Sequence, residues 1–300
     1  MTHDDKEANA AETAKVFYDT FGWKMDDESG VLFHHSYFQD LDETATNYRY
    51  DHEMRHRGVY QPSGEFFLDA GCGGEPRHGM SEGFRMHVCV DVSKLGLQEA
   101  RKQLEDSGAY VLADLAALPF KEKSFDGVLA SHCLYHVEKD LQKTVLGELY
   151  RVTKPERNIL VFYSSRYNLI SLAHKAATLV FPPLNVLLHR VGLHATTLPP
   201  YIMRLVSGKV PSMEVPDLYS YAHNPVRLAK EFPLADVTCL MTLSIYDTKM
   251  LRMLHLLNVV IPLLDRLEKA FPHFMRYVGK FTCIRIQKGL PERNQGGRGP

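Results

Sequence analysis

The stretch Phe66-Phe67-Leu68-Asp69-Ala70-Gly71-Cys72-Gly73-Gly74 decides the fold of this chain. An apolar run that ends in an acid and small residues is typical of a buried parallel strand that breaks into a tight turn before a helix. Glycine at positions 71, 73 and 74 lets the backbone turn without a Cβ clash and approach a ligand closely. A plain turn between a strand and a helix can also be rich in glycine, so the meaning of this one depends on the segments that follow.

Those segments alternate between strand and helix patterns. A second apolar run ends in Asp91, twenty residues after Gly71. That is the distance at which a nucleotide-binding fold places a carboxylate on ribose hydroxyls. The patterns predict strands at 66–70, 86–91, 110–115, 124–130 and 159–163, and helices at 94–104 and 141–150. Strands that alternate with helices indicate βαβ units and a parallel sheet.

A dinucleotide site is the first alternative for this turn. It needs the pattern G-x-G-x-x-G/A, in which the last small residue permits close packing of helix on strand. Here that position is Pro76, so the sequence disfavours a dinucleotide site.

The same residues resemble the class I S-adenosylmethionine-dependent methyltransferases, in particular the group that includes the ubiquinone/menaquinone C-methyltransferases. The resemblance covers about residues 60–165 and is carried by D-A-G-C-G-G at 69–74, Asp91, A-D-L-A-A-L-P-F at 113–120, S-F-D-G-V at 124–128, H-C-L-Y-H-V at 132–137 and E-L-Y-R-V-T-K-P at 148–155. It implies an α/β, Rossmann-like sheet, mostly parallel, with an antiparallel last strand. The segments 225–232, 236–246 and 280–288 would supply the remaining helix, the sixth strand and the seventh.

The resemblance also implies S-adenosyl-L-methionine as cofactor and a set of residues that hold it. Gly71 and Gly73 would face the methionine part, with Asp69 near its amino group. Asp91 would accept hydrogen bonds from both ribose hydroxyls, and Asp114 from the adenine amine. The other implied site residues are Cys72, Val92, Leu115 and Ser131, with Val92 and Leu115 on either side of the adenine. The alternative for each acid is a strand-end carboxylate that caps the next helix.

The chain departs from the family pattern at the glycine turn. The usual third glycine falls at Glu75, and Pro76 follows it. A carboxylate there could repel the methionine carboxylate of the cofactor, or it could cap the following helix. Two alternatives to methyl transfer therefore stay open: an S-adenosylmethionine-binding enzyme with other chemistry, and a degenerate, non-catalytic binding protein.

His132 and His136 are the candidate catalytic residues, because they follow the fourth strand, where this fold presents groups to the methyl acceptor. A histidine can take the proton of an acceptor near neutral pH. A packed histidine that shapes the pocket is the alternative for each. Tyr135, between them, is expected to point the other way.

The segment 52–56 reads H-E-M-R-H and matches the zinc motif H-E-x-x-H. Charged neighbours surround it, no third ligand follows at the expected spacing, and fifteen histidines make a chance match easy. We therefore assign this segment to a solvated helix face and predict no metal site.

Composition sets further bounds. A hydrophobic content of 45% in 300 residues supports a sizeable core, and a net charge of −1 offers no basic surface for nucleic acid. The five cysteines show no C-x-x-C pattern, which favours a reducing compartment. The first twelve residues are polar and lack the apolar stretch of a secretion signal. We expect a cytoplasmic protein.

The domain organisation follows from these segments. We expect one methyltransferase domain at 14–288, between a disordered start at 1–13 and a disordered tail at 289–300. Residues 14–60 are aromatic and would either cap the cofactor or pack on the sheet. Two apolar insertions, 169–223 after the fifth strand and 247–278 between the sixth and seventh, emerge at the ligand side of the sheet and predict a helical lid over an apolar small-molecule substrate. Basic residues beside them leave peripheral membrane contact open, and the oligomeric state stays undetermined.

Overall fold

One sheet of seven strands organises the part of the chain that the computed structural model describes, namely residues 10–24, 43–59, 63–165, 218–244, 247–248, 251–252 and 255–290. In chain order the strands are β1 (Gly64–Ala70), β2 (Phe84–Asp91), β3 (Gly108–Leu112), β4 (Gly127–Ser131), β5 (Asn158–Ser164), β6 (Ala235–Met241) and β7 (Phe281–Gln287). They lie side by side in the order β3-β2-β1-β4-β5-β7-β6. The first five are parallel, and β7 is antiparallel to both β5 and β6. The predicted fold class is confirmed.

Eight α-helices of the described residues surround this sheet. They are α1 (Ala10–Phe17), α2 (Glu43–Arg55), α3 (His78–Ser81), α4 (Lys94–Leu104), α5 (Gln142–Val152), α6 (Pro225–Ala229), α7 (Leu257–Ala270) and α8 (Pro272–Met275). Side-chain caps fix two of their starts: Ser93 accepts from the Gly96 N–H before α4, and Asn224 accepts from two N–H groups before α6. Such caps satisfy donors that the first helical turn leaves open.

The core lies in two layers because successive strand residues point to opposite faces of the sheet. Leu68 and Val128 pack in the layer that includes α5, whereas Phe67 and Leu129 pack in the other layer, with residues of α7. The central strands are buried on both faces, as the uninterrupted apolar runs in the sequence predict.

The predicted elements differ from the observed ones mainly at their ends. Strand β3 ends at Leu112, and Asp114 lies in a turn, where its side chain accepts from the Ala116 N–H. Strand β4 begins at Gly127 because Asp126 instead holds the start of β1, accepting from the Glu65 and Phe66 N–H groups. In both places the side chain bonds to backbone N–H groups beside the strand end, while the Ala113 and Asp126 N–H groups still donate to the neighbouring strand.

The second predicted insertion, 247–278, lies only partly at the ligand side of the sheet, where we expected it to form a lid. Helix α7 packs in the core layer beside α2 and strand β6, with Leu257 and Ile261 buried there. Asp247 and Thr248, at the start of the insertion, do line the cavity described below. Most of the first insertion, 169–217, and the expected tails lie outside the described residues or at their margin.

A buried polar cluster joins α2 to α7. The side chain of Glu268 accepts from the Tyr48 hydroxyl at 2.7 Å and from the Thr242 N–H at 2.7 Å, and it forms an ion pair with the His52 Nε2. Burial alone would raise the pKa of Glu268, but these contacts hold it below its ordinary value. His52 is 1% exposed, so the assignment of H-E-M-R-H to a solvated face is wrong. The periodicity of polar residues did not reveal that α7 covers this face.

We expect His52→Ala to lower the free energy of unfolding by about 1–3 kcal/mol, because it leaves the Glu268 carboxylate without one of its buried hydrogen-bond partners. The matched control is Arg57→Ala, which removes an exposed ion pair with Glu82. That change should cost at most about 1 kcal/mol. Urea denaturation of both variants measures the difference, and equal losses would contradict a buried, hydrogen-bonded pair.

Candidate functional site

A cavity of about 760 Å³ opens at the carboxyl ends of the parallel strands. Its walls come from the glycine turn after β1, the ends of β2 and β4, the N-terminal segment, and the β6–β7 side of the sheet. Ligands of open α/β sheets bind at this edge, where the strand order reverses. Here the reversal lies between β1 and β4.

The glycine turn is shaped by two close contacts. Gly71 has φ +72°, and a Cβ there would lie 2.6 Å from the Cβ of Cys133. Gly73 has φ +56°, and its Cβ would lie 2.2 Å from a ring carbon of Trp23. Left-handed backbone and lack of space both require glycine at these two positions. The turn therefore brings bare backbone to the edge of the cavity.

Asp91, at the end of β2, ties this turn to the next helix. Its carboxylate accepts from the Gly73 N–H at 2.8 Å and from the Ser93 N–H at 2.8 Å. Burial raises the pKa of Asp91 to about 6, although these hydrogen bonds oppose the rise. The carboxylate faces the cavity and has capacity for more donors than these two.

Asp69, at the end of β1, is buried beside a histidine. Its Oδ2 accepts from the Arg77 N–H at 2.9 Å and lies 3.2 Å from His87 Nε2. Burial would lower the pKa of His87, but the hydrogen bonds and negative charges of Asp69 and Cys89 together raise that pKa to about 9. The Oδ1 atom of Asp69 is buried and makes no hydrogen bond within the described residues. A buried carboxylate oxygen without a hydrogen-bond partner is suited to accept a hydrogen bond from a polar ligand group.

All nine residues predicted to hold the cofactor line this cavity, which are Asp69, Gly71, Cys72, Gly73, Asp91, Val92, Asp114, Leu115 and Ser131. Leu115 is buried, whereas Asp114 is exposed and uses one oxygen in its own turn. The sequence spacing therefore predicts correctly that these residues, which are far apart along the chain, line one cavity. Their role in binding stays a prediction.

Both candidate catalytic histidines also line the cavity. His136 donates its Nδ1–H to the Tyr219 carbonyl at 2.8 Å, which leaves Nε2 as the ring nitrogen with a lone pair. Burial lowers the pKa of His136 to about 4. Tyr135 lies in the same wall, 4.5 Å from the His136 ring, so the expectation that it points the other way is wrong.

The N-terminal segment lies against the glycine turn. Trp23 is 5% exposed and packs on Gly73 and Gly74, with the Tyr18 ring stacked 5.8 Å away. Asp19 accepts from the Ser93 hydroxyl and the Leu95 N–H, which fixes the segment at the start of α4. Residues 18–23 of the segment thus lie beside the cavity, whereas Ala45 and Tyr48 pack in a core layer on the sheet, so each alternative describes a part of it.

Sequence reasoning missed two charged residues at the site, Arg77 in the cavity wall and Glu53 behind it. Arg77 lies beside Glu75, with Nη1 3.8 Å from its carboxylate, so a cation stands next to the unusual acid of the turn. Glu53 of the H-E-M-R-H segment is 6% exposed and pairs with Arg77 and Arg49. Arg77 follows the glycine turn closely enough to have been a candidate, whereas nothing in the spacing connects Glu53 with it.

The remaining wall, from the β6–β7 side, combines three apolar side chains with four polar or charged ones, among them Ser244 and Thr248. Met241, Leu243 and Phe281 line it, and Lys280 and Asp247 add one charge of each sign. Burial lowers the pKa of Lys280, and Asp247 opposes that effect. This wall is the part of the cavity farthest along the sheet from Asp91.

His52, Asp265 and Glu268 form a group whose ligand atoms lie within 4.8 Å of one another. This is a different set from the H-E-x-x-H pair, because His56 is not part of it. Asp265 pairs with Arg55 and Lys269, and His52 pairs with Glu268. Protein cations therefore occupy these carboxylates.

Comparisons with known proteins agree with this geometry. Residues 68–161 match the family model of a methyltransferase domain. Over 152 residues the chain is 30% identical to the 27-O-demethylrifamycin SV methyltransferase of Amycolatopsis mediterranei, an alignment that covers 46% of this chain and 53% of that protein. It is 27% identical to the sterol 24-C-methyltransferase of Schizosaccharomyces pombe, over 45% of this chain and 35% of that protein. The chain thus spans about half or less of the length of these relatives.

A solved structure extends the similarity of fold. The phosphoethanolamine N-methyltransferase 1 of Haemonchus contortus, in complex with phosphoethanolamine and S-adenosylhomocysteine, aligns with a TM-score of 0.53 and 12% identity, over 99% of this chain and 52% of that one. This likeness concerns the fold alone. Residues 68–161 thus match a methyltransferase domain, and the sheet that contains them has the Rossmann-like order of a class I methyltransferase fold.

Proposed function

We propose that this chain uses S-adenosyl-L-methionine to methylate an oxygen or carbon nucleophile of an apolar small molecule. The observation that carries the proposal is the single cavity that joins the glycine turn and Asp91 to two histidines and a partly apolar wall. A methyl donor and an acceptor need such a shared, water-poor space to react.

The residues of the turn fit the cofactor. The Oδ1 atom of Asp69 lacks a hydrogen-bond partner within the described residues and suits the amino group of the methionine part. Asp91 would accept from the ribose hydroxyls, and Asp114 with Leu115 and Val92 would hold the adenine. The guanidinium of Arg77 offsets the charge of Glu75. That pairing reduces the electrostatic repulsion that Glu75 would otherwise exert on the methionine carboxylate.

When bound, the cofactor supplies an electrophilic methyl group on a sulfonium, which is an excellent leaving group. The protein therefore mainly aligns the acceptor and excludes water. Where the acceptor has to lose a proton, a base adds about 10²- to 10⁴-fold in rate. His132 and His136 are our candidates for that base, since both line the cavity that the glycine turn also lines.

The apolar part of this wall supports an apolar acceptor. Met241, Leu243 and Phe281 offer apolar surface to the acceptor, beside the polar side chains of Ser244 and Thr248. The relatives named for rifamycin and sterol substrates support an oxygen or carbon acceptor of this class. We further propose that the insertion 169–223 closes over this wall. Its segment 179–188, which we expect to bind the acceptor, lies outside the described residues.

We also propose that α7 and α8 contact an anionic lipid surface. Seven of the fifteen exposed large apolar side chains within the described residues fall in this short stretch: Leu256, Val259, Leu263, Leu267, Phe271, Phe274 and Tyr277. The acids between 251 and 280 are Asp265, which is paired, and Glu268, which is buried. Apolar side chains with basic residues beside them favour an anionic interface. Among the described helices, none is long and apolar enough to cross a bilayer.

The methyl-transfer proposal is tested by product analysis. We expect the protein, given S-adenosylmethionine and a panel of phenols, hydroxyquinones and sterols, to form S-adenosylhomocysteine in a 1:1 ratio with a methylated product. Mass spectrometry of both products measures the ratio. Binding of the cofactor with an unmethylated product would favour the other chemistry, and lack of any heat on titration would favour a degenerate domain.

Cofactor affinity should depend on the ionisation of Asp91. Its pKa of about 6 means that affinity is full above pH 6 and falls about tenfold per pH unit below it, because the protonated group loses its charge-assisted bonds. At pH 8, Asp91→Asn should weaken binding by about 10- to 100-fold, since a hydrogen bond to a charged group contributes about 1.5–3 kcal/mol. Calorimetry at pH 5, 6 and 8 measures both effects.

The control for that titration is the variant itself. Asp91→Asn has no carboxylate to protonate, so its affinity should stay nearly flat between pH 5 and 8. A folded variant that binds as tightly as the parent protein would remove Asp91 from the site.

Vesicle sedimentation tests the lipid contact. We expect the protein to sediment with phosphatidylglycerol vesicles and not with phosphatidylcholine vesicles. The double variant Val259→Glu/Leu263→Glu should release it, because it places two acids in the exposed apolar face. Leu234→Glu, another exposed leucine, is the matched control and should still sediment. A concentration-dependent dimer that the double variant dissociates would assign this face to a second copy instead.

A further inference from the structure

Glu53 is a buried acid that enters the cavity region from outside the methyltransferase motifs. It lies near the end of α2 and is 6% exposed. Burial would raise the pKa of its carboxyl group, but Arg77, His132 and Arg49 hold that pKa well below its ordinary value. An acid kept ionised in a buried place needs these partners.

The contacts of Glu53 come from three parts of the chain. Arg49 Nε, one turn earlier in α2, lies 3.2 Å from Oε1. Arg77 Nε, after the glycine turn, lies 3.3 Å from Oε2. His132 Nε2, at the end of β4, lies 3.5 Å from Oε1. The carboxylate thus joins α2 to both strand ends that form the cavity.

Aromatic packing fixes the His132 ring, and Glu53 lies beside its Nε2 atom. The ring packs edge-on against Phe281 at 4.9 Å and lies 6.1 Å from Phe162. Within the described residues, neither ring nitrogen makes a hydrogen bond, and Glu53 is the acid at ion-pair distance. The backbone of His132 has φ +57°, which is rare for a residue with a Cβ. Such strain occurs where the surroundings fix a side chain in one direction.

His136 has a different environment, although it lies four residues later. Its Nδ1–H is committed to a backbone carbonyl, and no carboxylate pairs with it within the described residues. Burial therefore dominates its pKa, which falls to about 4 although the hydrogen bond to the Tyr219 carbonyl opposes the fall. A base that weak contributes little to proton removal at neutral pH.

We propose that Glu53 and His132 form an acid–base pair, in which the carboxylate accepts the Nε2–H of His132 and leaves the Nδ1 lone pair to take the proton of the methyl acceptor. This inference rests on the proposed function. The proton moves from the acceptor to Nδ1, and its electron pair stays on the acceptor as the nucleophile. The resulting imidazolium faces the Glu53 carboxylate and later gives the proton to solvent. His132 is the catalytic residue, and Glu53 is a positioning residue.

The charges around His132 show why Glu53 is needed. Arg49 and Arg77 face it from α2 and from the glycine turn, and both disfavour an imidazolium. His136 and Tyr135 lie on its own segment and bring no negative charge at neutral pH. Burial, together with the two arginines, holds the pKa of His132 below its ordinary value, and the Glu53 carboxylate is the group that opposes this and favours proton uptake. The same pairing of an imidazole with an orienting carboxylate serves other enzymes as the source of a base.

Nuclear magnetic resonance of the imidazole nitrogens tests this pair without an acceptor. The protein is labelled with ¹⁵N-histidine and saturated with S-adenosylhomocysteine, and His132→Gln identifies the His132 signals. We expect the Nε2–H tautomer in the parent protein. Glu53→Gln should lower the pKa of His132 by about 1 unit or more, because the nearby negative charge is lost while Arg49 and Arg77 remain.

Two further variants separate positioning from packing. Glu75→Gln removes another acid that faces Arg77 in the same cavity, and it should leave the His132 tautomer and pKa unchanged. Glu53→Asp keeps the charge and should restore most of the His132 pKa. Thermal melts of each variant establish that the fold is retained.

The outcomes distinguish this inference from the proposed function. If S-adenosylhomocysteine binds and Glu53→Gln changes neither the tautomer nor the pKa of His132, Glu53 is merely a structural partner of the two arginines, and the inference fails. An equal effect of Glu75→Gln would also overturn it. If the parent protein does not bind S-adenosylhomocysteine at all, that result contradicts the proposed function itself, on which this inference rests.

Discussion

The rest of the structure depends on the close backbone approach at the glycine turn. Gly71 and Gly73 leave β1 with positive φ, and neither has room for a Cβ. Their compactness allows the Asp91 carboxylate to reach the Gly73 N–H, which joins the ends of β1 and β2. It also allows Trp23 to lie on the turn from the other side. A side chain at either glycine would separate the strand ends, the acids and the N-terminal cover at once.

A second constraint holds the outer layer of the molecule to this centre. Tyr48 and His52 of α2 meet Glu268 of α7, and the backbone N–H of Thr242 joins them at the end of β6. One face of α2 is thereby fixed to the insertion between β6 and β7. Its neighbour Glu53 reaches the strand ends near the cavity. The helix thus connects the insertion with the site through adjacent residues that point in different directions.

The sequence predicts the sheet and its cofactor edge well because both arise from local patterns. Buried parallel strands give uninterrupted apolar runs, and the acids Asp69, Asp91 and Asp114 mark where such runs end. Strand ends of one sheet meet at one edge, so these residues share a cavity as expected. The family resemblance supplied the mostly parallel sheet with its antiparallel last strand.

The contributions of α2 and α7 could not be predicted in the same way. His52 and Glu53 look like part of a charged, solvated helix, and their partners Glu268 and Arg77 lie far away in the sequence. Spacing within a helix carries no information about which distant element will cover it. The same holds for Trp23, whose apolar character was plain but whose contact with Gly73 was not. Contacts between residues so far apart in the sequence can be identified only in the folded structure.

The strand order has a consequence for synthesis of the chain on the ribosome. Strand β6 pairs with β7 and with no other strand of the described sheet, and β7 stands between β5 and β6. Until β7 has been made, β5 has an open edge and β6 has no ladder partner. Unpaired edges attract other chains. Nascent chains that lack β7 are therefore the species most prone to aggregate, and a pause in translation just before residue 281 would prolong their exposure.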